Sequence, residues 1–180
     1  MKKFAIIFCT VFCYINSTYA QKKVTRSGQV TFTSKTPIEE IYAKNSQAAS
    51  IFLVDQKTVA FNVLLRSFKF DKALMEEHFN EKYVHSDKYP AAKFKGTLPE
   101  TIDLTKAETH KDVPIDGTMH FHGVDKPIKV LADIDVKEDG SIDFKSDFKL
   151  NLDDYKIEIP SLVKDKIAPE IVVNVATQYN

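Results

Sequence analysis

Tryptophan is absent from this chain of 180 residues, and glycine and cysteine are scarce, with five and two residues. So few glycines leave no glycine-rich phosphate-binding loop. Both cysteines, Cys9 and Cys13, lie in the first twenty residues, so the rest of the chain has none for a disulfide, a cysteine nucleophile or a thiolate metal site. An excess of one charge is also lacking, since 25 Lys and Arg balance 25 Asp and Glu. This balance excludes a polybasic nucleic-acid-binding protein.

The first twenty residues differ in composition from the remainder. Two lysines precede an uncharged, largely apolar run over residues 4–15, and small residues flank Tyr19. This arrangement is typical of a secretory signal peptide, and the run is shorter than the ~20 apolar residues that a transmembrane helix needs. We therefore predict a signal peptide over residues 1–20 with cleavage near Ala20. The mature protein, one domain over residues 21–180, is expected to be periplasmic or secreted.

Alternation of apolar and polar residues predicts that strands dominate the mature chain. The clearest case is residues 142–152, where only Ser146 interrupts the apolar face. Such alternation is typical of an antiparallel strand with one buried face. Similar patterns predict eight strands, at residues 29–34, 48–54, 58–66, 91–98, 115–122, 128–137, 142–152 and 170–178. Several short strands, each with one apolar face, indicate a sandwich or a barrel.

Two segments interrupt the strand pattern. Residues 37–43 predict a short helix, with Thr36 as its N-cap and Pro37 at the first helical position. Residues 71–83 predict an amphipathic helix capped by Asp71, because apolar residues recur there at three- and four-residue spacing. This second helix is suited to cover one end of a barrel, or to fill it.

Two segments resemble the YceI family, a lipocalin-like group of exported bacterial proteins. Residues 117–130 read GTMHFHGVDKPIKV, similar to the family's Gly-x-Leu-x-Ile-His-Gly-Val-x-Lys-Pro-Val hairpin. Residues 78–94 read HFNEKYVHSDKYPAAKF, similar to the family's helix, turn and strand. The family's N-terminal Trp is missing, and residues 151–155 replace its Asn-Arg-x-x-Phe-Gly segment. The resemblance implies an all-β fold, an eight-stranded antiparallel barrel with a short amphipathic helix near its mouth, and a long apolar tunnel for polyisoprenoid or related lipids.

The predicted ligand is therefore an isoprenoid or other long-chain amphiphile, such as a fatty-acyl lipid, held by apolar burial. We expect a carrier, storage or scavenging protein that is not an enzyme and uses no cofactor. The predicted ligand contacts are Phe61, Leu65, Leu74, His78, Phe79, Tyr83, Phe94, Met119, Phe121, Phe144 and Phe148. The same apolar pattern also suits a barrel filled by its own side chains. An envelope-stress or interaction protein without a small ligand is the alternative.

The remaining polar candidates give little indication of a metal site or a catalytic site. His120 and His122 lie two apart on one predicted strand, but a zinc site needs a third and a fourth ligand, so we expect no metal. Ser86 is flanked by His85 and Asp87, and adjacent residues rarely aim at one point. Polar atoms of His78, Tyr83, His85 or Lys88 are expected near the lipid head group. The sequence leaves open a monomer or a homodimer and a partner protein in the inner membrane.

Overall fold

The computed structural model describes residues 21–180, so the predicted signal peptide lies outside the described residues. The elements are, in chain order, β1 (Lys22–Lys35), β2 (Glu40–Leu53), β3 (Thr58–Leu64), a 3₁₀ turn (Leu65–Ser67), β4 (Lys69–Phe70), α1 (Ala73–His78), a π-helical turn (Phe79–Tyr83), β5 (Ala91–Thr97), β6 (Glu108–Phe121), β7 (Val124–Val136), β8 (Ile142–Asn151), two 3₁₀ turns (Asp153–Tyr155 and Ser161–Val163) and β9 (Glu170–Tyr179). In this part of the chain no helix has the length and apolar character needed to cross a bilayer.

Eight of these strands close into an antiparallel barrel. Their order around the barrel is β1-β9-β8-β7-β6-β5-β3-β2, and β2 pairs again with β1. The ninth strand, β4, is only two residues long and adds to β2 beside the barrel. The predicted eight-stranded antiparallel barrel is thus confirmed. Closure leaves the barrel without a long unpaired edge strand.

Three strands are considerably longer than their alternation predicts. β1, β2 and β6 each span 14 residues. In β1 the pairing with β2 shifts register on both sides of Gly28. A Cβ atom on Gly28 would lie 3.0 Å from the carbonyl oxygen of Ala48, so glycine permits this close approach of two backbones. The register shifts break the period-two pattern, which is why the sequence shows only the regular part of this strand.

The helix predicted over residues 37–43 is wrong. Thr36 does not cap a helix but closes a turn, because its amide donates to the carbonyl of Glu39 at 2.9 Å and its hydroxyl accepts from the amide of Glu39 at 3.1 Å. β2 begins at the next residue, Glu40. A seven-residue helix has little stability of its own, and the long pairing of β1 with β2 replaces it.

The second predicted helix is present in part. α1 covers Ala73–His78 and continues directly into the π-helical turn Phe79–Tyr83. Asp71 is not its cap, since Lys72 occupies the N-cap position and makes no side-chain capping bond. The amide of Val84 closes the π-helical turn by donating to the carbonyl of Phe79 at 2.9 Å. π-helical turns of this kind are often found at functional sites.

The hairpin turns also differ in detail from the prediction. β7 begins at Val124, earlier than predicted, because His122 and Gly123 form a two-residue turn with φ values of 50° and 76°. Positive φ at both positions is what a type I′ hairpin requires. In the turn between β7 and β8, Gly140 is the residue with a positive φ, of 79°.

The two ends of the barrel have different interiors. At one end, here called the closed end, lie the β2–β3, β5–β6 and β7–β8 connections together with Gln21 and Asn180. Large side chains that are almost fully buried fill this half, among them Tyr179, Phe52, Ile115, Ile134 and Ile142. The opposite end, here called the mouth, carries the β1–β2, β3–β5, β6–β7 and β8–β9 connections. The barrel is therefore filled in one half and hollow in the other.

Candidate functional site

A cavity of about 380 Å³ occupies the mouth half of the barrel. This volume lies in the lower part of the ~300–1,000 Å³ range of small-molecule sites. Nine of the ten phenylalanines that follow residue 20 line the cavity, and the tenth, Phe52, belongs to the filled half. The phenylalanines of residues 21–180 are thus concentrated around one space.

All eleven predicted ligand contacts line this cavity. Seven come from the barrel wall and its rim, namely Phe61, Leu65, Phe94, Met119, Phe121, Phe144 and Phe148. The other four come from α1 and the π-helical turn, namely Leu74, His78, Phe79 and Tyr83. The fold therefore brings the predicted residues together, and their role in binding a ligand stays a prediction.

Two phenylalanine rings form the floor of the cavity. Phe61 lies on β3 and Phe144 on β8, strands that are four positions apart in either direction around the barrel. Their ring centroids are 5.4 Å apart, so the rings meet across the barrel axis. In the next layer toward the closed end, Phe52 packs edge-on against Tyr179 at 5.6 Å. The contact of Phe61 with Phe144 thus separates the cavity from the filled half.

The ring of Phe94 lies against a bare part of the wall. Gly96 on β5 is paired with Gly117 on β6, both on the closed-end side of Phe94. A Cβ atom would lie 2.7 Å from the Phe94 ring if built on Gly96, and 2.5 Å if built on Gly117. The two glycines therefore leave a recess into which this ring withdraws. Without that recess the ring would occupy part of the cavity.

A cluster of four phenylalanines holds a short helical segment against the mouth. We call α1 and the π-helical turn, residues 73–83, the lid. Phe79 of the lid contacts Phe32, Phe68 and Phe70 with ring centroids 5.2–5.7 Å apart. Phe68 and Phe70 are not among the contacts predicted from the sequence, although their alternation with Lys69 is a strand signal.

The loop from Leu152 to Pro169, here called the β8–β9 loop, is a second cover, which the alternation of the sequence does not predict. Ile157, Val163 and Ile167 of this loop line the cavity. The amide of Ala168 holds the loop to the rim of the barrel by donating to the hydroxyl oxygen of Ser34 at 2.9 Å. A connection of this length between two strands is uncommon and often functional, and its length was the available signal.

Most polar side chains that line the cavity lie at its mouth. They are Ser34, Glu39, Lys72, His78, Tyr83 and Lys166. Lys72 forms an ion pair with Glu39 at 3.2 Å, which links the start of the lid to the β1–β2 turn. Burial raises the pKa of the Tyr83 hydroxyl above its ordinary value. Deeper in the cavity, Ser146 donates its hydroxyl hydrogen to the carbonyl of Leu131 at 2.7 Å.

Two residues expected at the head-group position lie elsewhere. His85 stacks on His122 with ring centroids 5.5 Å apart, and the ammonium group of Lys88 lies 5.0 Å from the centre of the Tyr89 ring. Neither lines the cavity. The reason is the turn after the lid, where His85 adopts a φ of 46° and the chain folds outside the barrel.

The two histidines of β6 and its turn do not converge on one point. His120 contacts the carboxylate of Asp125 through Nδ1 at 2.7 Å, whereas His122 lies in the turn with Nδ1 2.9 Å from the carbonyl oxygen of Tyr155. Across residues 21–180, no group of three or more His, Cys, Asp or Glu side chains is placed to hold a metal ion.

Comparison with known proteins gives one family and several structural relatives. The model of the YceI-like domain family matches residues 17–179. A polyisoprenoid binding domain from Saccharophagus degradans, described as implicated in plant cell wall breakdown, has a TM-score of 0.77 at 13% identity, over 88% of this chain and 97% of that chain. BcnA of Burkholderia cenocepacia has a TM-score of 0.69 at 12% identity, over 85% of this chain and 96% of that chain.

A third solved structure, the YCEI protein of Campylobacter jejuni, has a TM-score of 0.61 at 18% identity, over 77% of this chain and 84% of that chain. At these identities the likeness to each structure shows a common fold alone. A search of curated proteins found no match.

Proposed function

The chain belongs to the YceI-like domain family, and on this premise we propose that it binds a single-chain amphiphilic lipid, isoprenoid or fatty-acyl, without altering it chemically. The observation that carries this proposal is the apolar cavity of about 380 Å³, whose polar groups lie mostly at the mouth. One structural relative is described as a polyisoprenoid binding domain, which supports an isoprenoid tail.

Burial of the tail supplies the binding energy in this proposal. Each methylene group removed from water contributes about 0.8 kcal/mol. A tail of ~10 carbons therefore contributes ~8 kcal/mol, which corresponds to a micromolar Kd before the cost of association is subtracted. Since the wall consists of phenylalanine and aliphatic side chains, we expect selectivity for tail length and little selectivity for tail chemistry.

The head group remains at the mouth in this proposal. A buried polar head group would need hydrogen-bond partners inside the barrel, and the one wall hydroxyl below the rim, that of Ser146, already donates to a backbone carbonyl. At the mouth, His78, Tyr83 and Lys166 offer polar atoms beside the solvent. Lys72 offers another, although it already contacts Glu39.

Entry of the tail requires the lid to move. The polar contacts of the lid region with its surroundings include the ion pairs of Lys69 with Glu76 at 2.6 Å and of Lys72 with Glu39 at 3.2 Å. Exposed lysines take part in both, and such ion pairs contribute only ~0–1 kcal/mol each. The apolar attachment of the lid includes the contacts of Phe79 with Phe32 and Phe68 at the rim. A lipid tail that enters offers Phe79 an apolar surface in place of these rings.

The carrier role implies export, which we also propose. The composition of residues 1–20 supports removal of a signal peptide and release beyond the inner membrane. N-terminal sequencing of the protein from an envelope or culture fraction is expected to begin at Gln21. An intact Met1 on protein confined to the cytoplasm would contradict this part of the proposal.

Binding is tested best with a pair of tryptophan variants. Because the chain has no tryptophan, Met119→Trp and Thr118→Trp each introduce a single fluorophore, and the two positions are adjacent on β6. Met119 is buried in the cavity wall and Thr118 is exposed. Titration calorimetry with farnesol and with dodecanoic acid is expected to show binding by wild type and by Thr118→Trp. Met119→Trp is expected to lose most of this affinity, because the indole occupies the cavity.

The same variants show whether misfolding, and not a blocked cavity, causes the loss of affinity. Circular dichroism and thermal unfolding are expected to be similar for Thr118→Trp and wild type, and Met119→Trp is expected to remain folded with blue-shifted indole emission. Mass spectrometry of organic extracts from the natively purified protein identifies any lipid that copurifies. If wild type binds neither probe and its extracts contain no lipid, the proposed function is wrong.

A further inference from the structure

We propose that the Phe61–Phe144 pair limits the length of the tail, so that the ligand class is a single-chain amphiphile with ~12 main-chain carbons inside the barrel, such as a dodecanoyl or farnesyl lipid. A long polyprenyl chain therefore cannot bind with its whole tail inside the barrel. This inference rests on the proposed function and narrows it to one range of tail length.

The depth of the cavity gives the first measure of that length. Along β8 the lining residues extend from Phe144 at the floor to Leu150 near the mouth. Six residues of strand correspond to ~20 Å, or ~15 Å along the barrel axis at a strand tilt of ~40°. An extended hydrocarbon advances ~1.25 Å per carbon, so ~12 carbons reach from rim to floor. Three isoprene units have about the same main-chain length.

The size of the cavity indicates how many tails it holds. A volume of about 380 Å³ lies in the lower part of the ~300–1,000 Å³ range of small-molecule sites. This size suits one hydrocarbon tail and not the several tails of a larger lipid, so the ligand class is a single-chain amphiphile.

The floor is supported from below and does not yield easily. Ile115, Ile134, Phe52 and Tyr179 in the filled half are at most 1% exposed. Tyr179 is also hydrogen-bonded to Ser50, whose own hydroxyl donates to the carbonyl of Ala60 at 2.9 Å. Displacing the Phe61–Phe144 pair downward would overpack this core, which costs ~1–3 kcal/mol or more. Carbons beyond the limit must instead project from the mouth into water, where they add no affinity.

The experiment is a tail-length series with matched phenylalanine variants. Saturated fatty acids from octanoic to eicosanoic acid, and geraniol, farnesol and geranylgeraniol, are titrated into the full mature protein below their critical micelle concentrations. For wild type we expect the affinity to rise ~fourfold per carbon up to ~12 carbons and then to stay level. In Phe61→Leu and Phe144→Leu the level part is expected to begin about two carbons later, because part of the floor is removed.

Phe148→Leu is the matched control. Phe148 lines the wall of the cavity nearer the mouth and lies on the same strand as Phe144. The change removes the same atoms but leaves the floor intact, so the affinity is expected to change. The tail length at which the affinity stops rising, here called the break, is expected to stay as in wild type. Val175→Phe provides a change in the opposite direction. Val175 is paired with Ser146, one layer above the floor, so the added ring is expected to move the break to shorter tails.

The outcomes separate this inference from the proposed function. A break that moves in the floor variants and in Val175→Phe, but not in Phe148→Leu, supports the inference. Affinity that keeps rising through eicosanoic acid, or a break that is the same in all variants, overturns it and leaves lipid binding intact. Absence of binding at every tail length overturns the proposed function and this inference together. If Phe61→Leu and Phe144→Leu do not fold, Val175→Phe alone decides.

Discussion

His122 donates a hydrogen bond from Nδ1 to the carbonyl oxygen of Tyr155, 33 residues further along the chain, at 2.9 Å. It thereby joins the β6–β7 turn to the start of the β8–β9 loop, and both connections lie at the mouth. The imidazole ring also packs edge-on against Tyr89 with ring centroids 4.6 Å apart. The histidine of the His-Gly-Val segment therefore links the β6–β7 turn to the β8–β9 loop.

We expect His122→Ala to lower the free energy of unfolding by about 1–2 kcal/mol, since it removes the hydrogen bond and leaves the Tyr155 carbonyl without it. Urea unfolding measures the change, and hydrogen exchange is expected to become faster in residues 155–169. His120→Ala is the control, because His120 is partly exposed and its partner Asp125 lies at the surface. Equal effects of the two changes would show that the contact with Tyr155 does not hold the loop.

Phe144 and Phe148 lie on the same face of β8 but differ in exposure, since Phe144 is 2% exposed and Phe148 is half-buried at the cavity. Phe144→Asp is expected to cost about 4 kcal/mol or more, because an unpaired carboxylate replaces a ring in the core. Phe148→Asp is expected to cost about 2 kcal/mol, since water in the cavity reaches its carboxylate. Thermal and urea unfolding compare the two.

Lys145→Gln is the control for this pair, because Lys145 is exposed on the opposite face of the same strand. Its free energy of unfolding is expected to stay within about 0.5 kcal/mol of wild type. If Phe144→Asp is as stable as Lys145→Gln, the register of β8 described above is wrong.

Gly117→Ala is expected to destabilise the barrel by about 1–3 kcal/mol, because its Cβ would lie 2.5 Å from the Phe94 ring and 2.6 Å from the carbonyl oxygen of Lys95. It is also expected to weaken lipid binding, since the displaced ring enters the cavity. Phe94→Leu in the same chain is expected to recover part of both losses. A double-mutant cycle on urea unfolding measures this coupling, and strictly additive losses would contradict a steric origin.

Stability is expected to fall in alkali. Burial raises the pKa of Tyr155 to about 12, with a smaller contribution from Asp154, and burial raises the pKa of Tyr179 as well. The neutral hydroxyls are favoured in the folded state, so this stability is complete below the unfolded tyrosine pKa near ~10 and is lost as the pH rises through the folded values. Urea unfolding between pH 8 and pH 12 measures the loss.

Tyr155→Phe is the matched variant for the alkaline prediction. It removes one titrating hydroxyl and keeps the ring that packs against Phe121 with centroids 5.5 Å apart. Its free energy of unfolding is expected to depend less on pH above ~10 than that of wild type, with little difference at neutral pH. The prediction fails if the two pH profiles coincide.

The sequence predicts the barrel well because its signal is local. In β8 each residue faces either the core or the solvent, and the alternation reports this directly. The apparent exception, Ser146, is buried like its apolar neighbours and is satisfied by the carbonyl of Leu131. The small side chain also leaves space directly above the floor, so the break in the pattern marks the cavity.

Features that depend on distant contacts were not predictable in this way. The pattern around Thr36 suits a helix N-terminus and a hairpin turn equally well, and the pairing of β1 with β2 decides between them. The contact of Phe61 with Phe144 joins residues 83 positions apart across the barrel. An apolar face is the same in sequence whether the interior is filled or hollow, so the division of the barrel into two halves appears only in three dimensions.

Both ends of the described chain lie at the closed end. Lys22 is paired with Leu53 beside the β2–β3 turn, and Tyr179 is paired with Ile142 at the start of β8. A surface tether, fluorescent protein or affinity tag joined at Gln21 or Asn180 would therefore stand on the far side of the molecule from the lid. Immobilised through either terminus, the protein would present its opening to the solution, which suits a test of whether the proposed lipid passes from vesicles to a fixed layer of this protein.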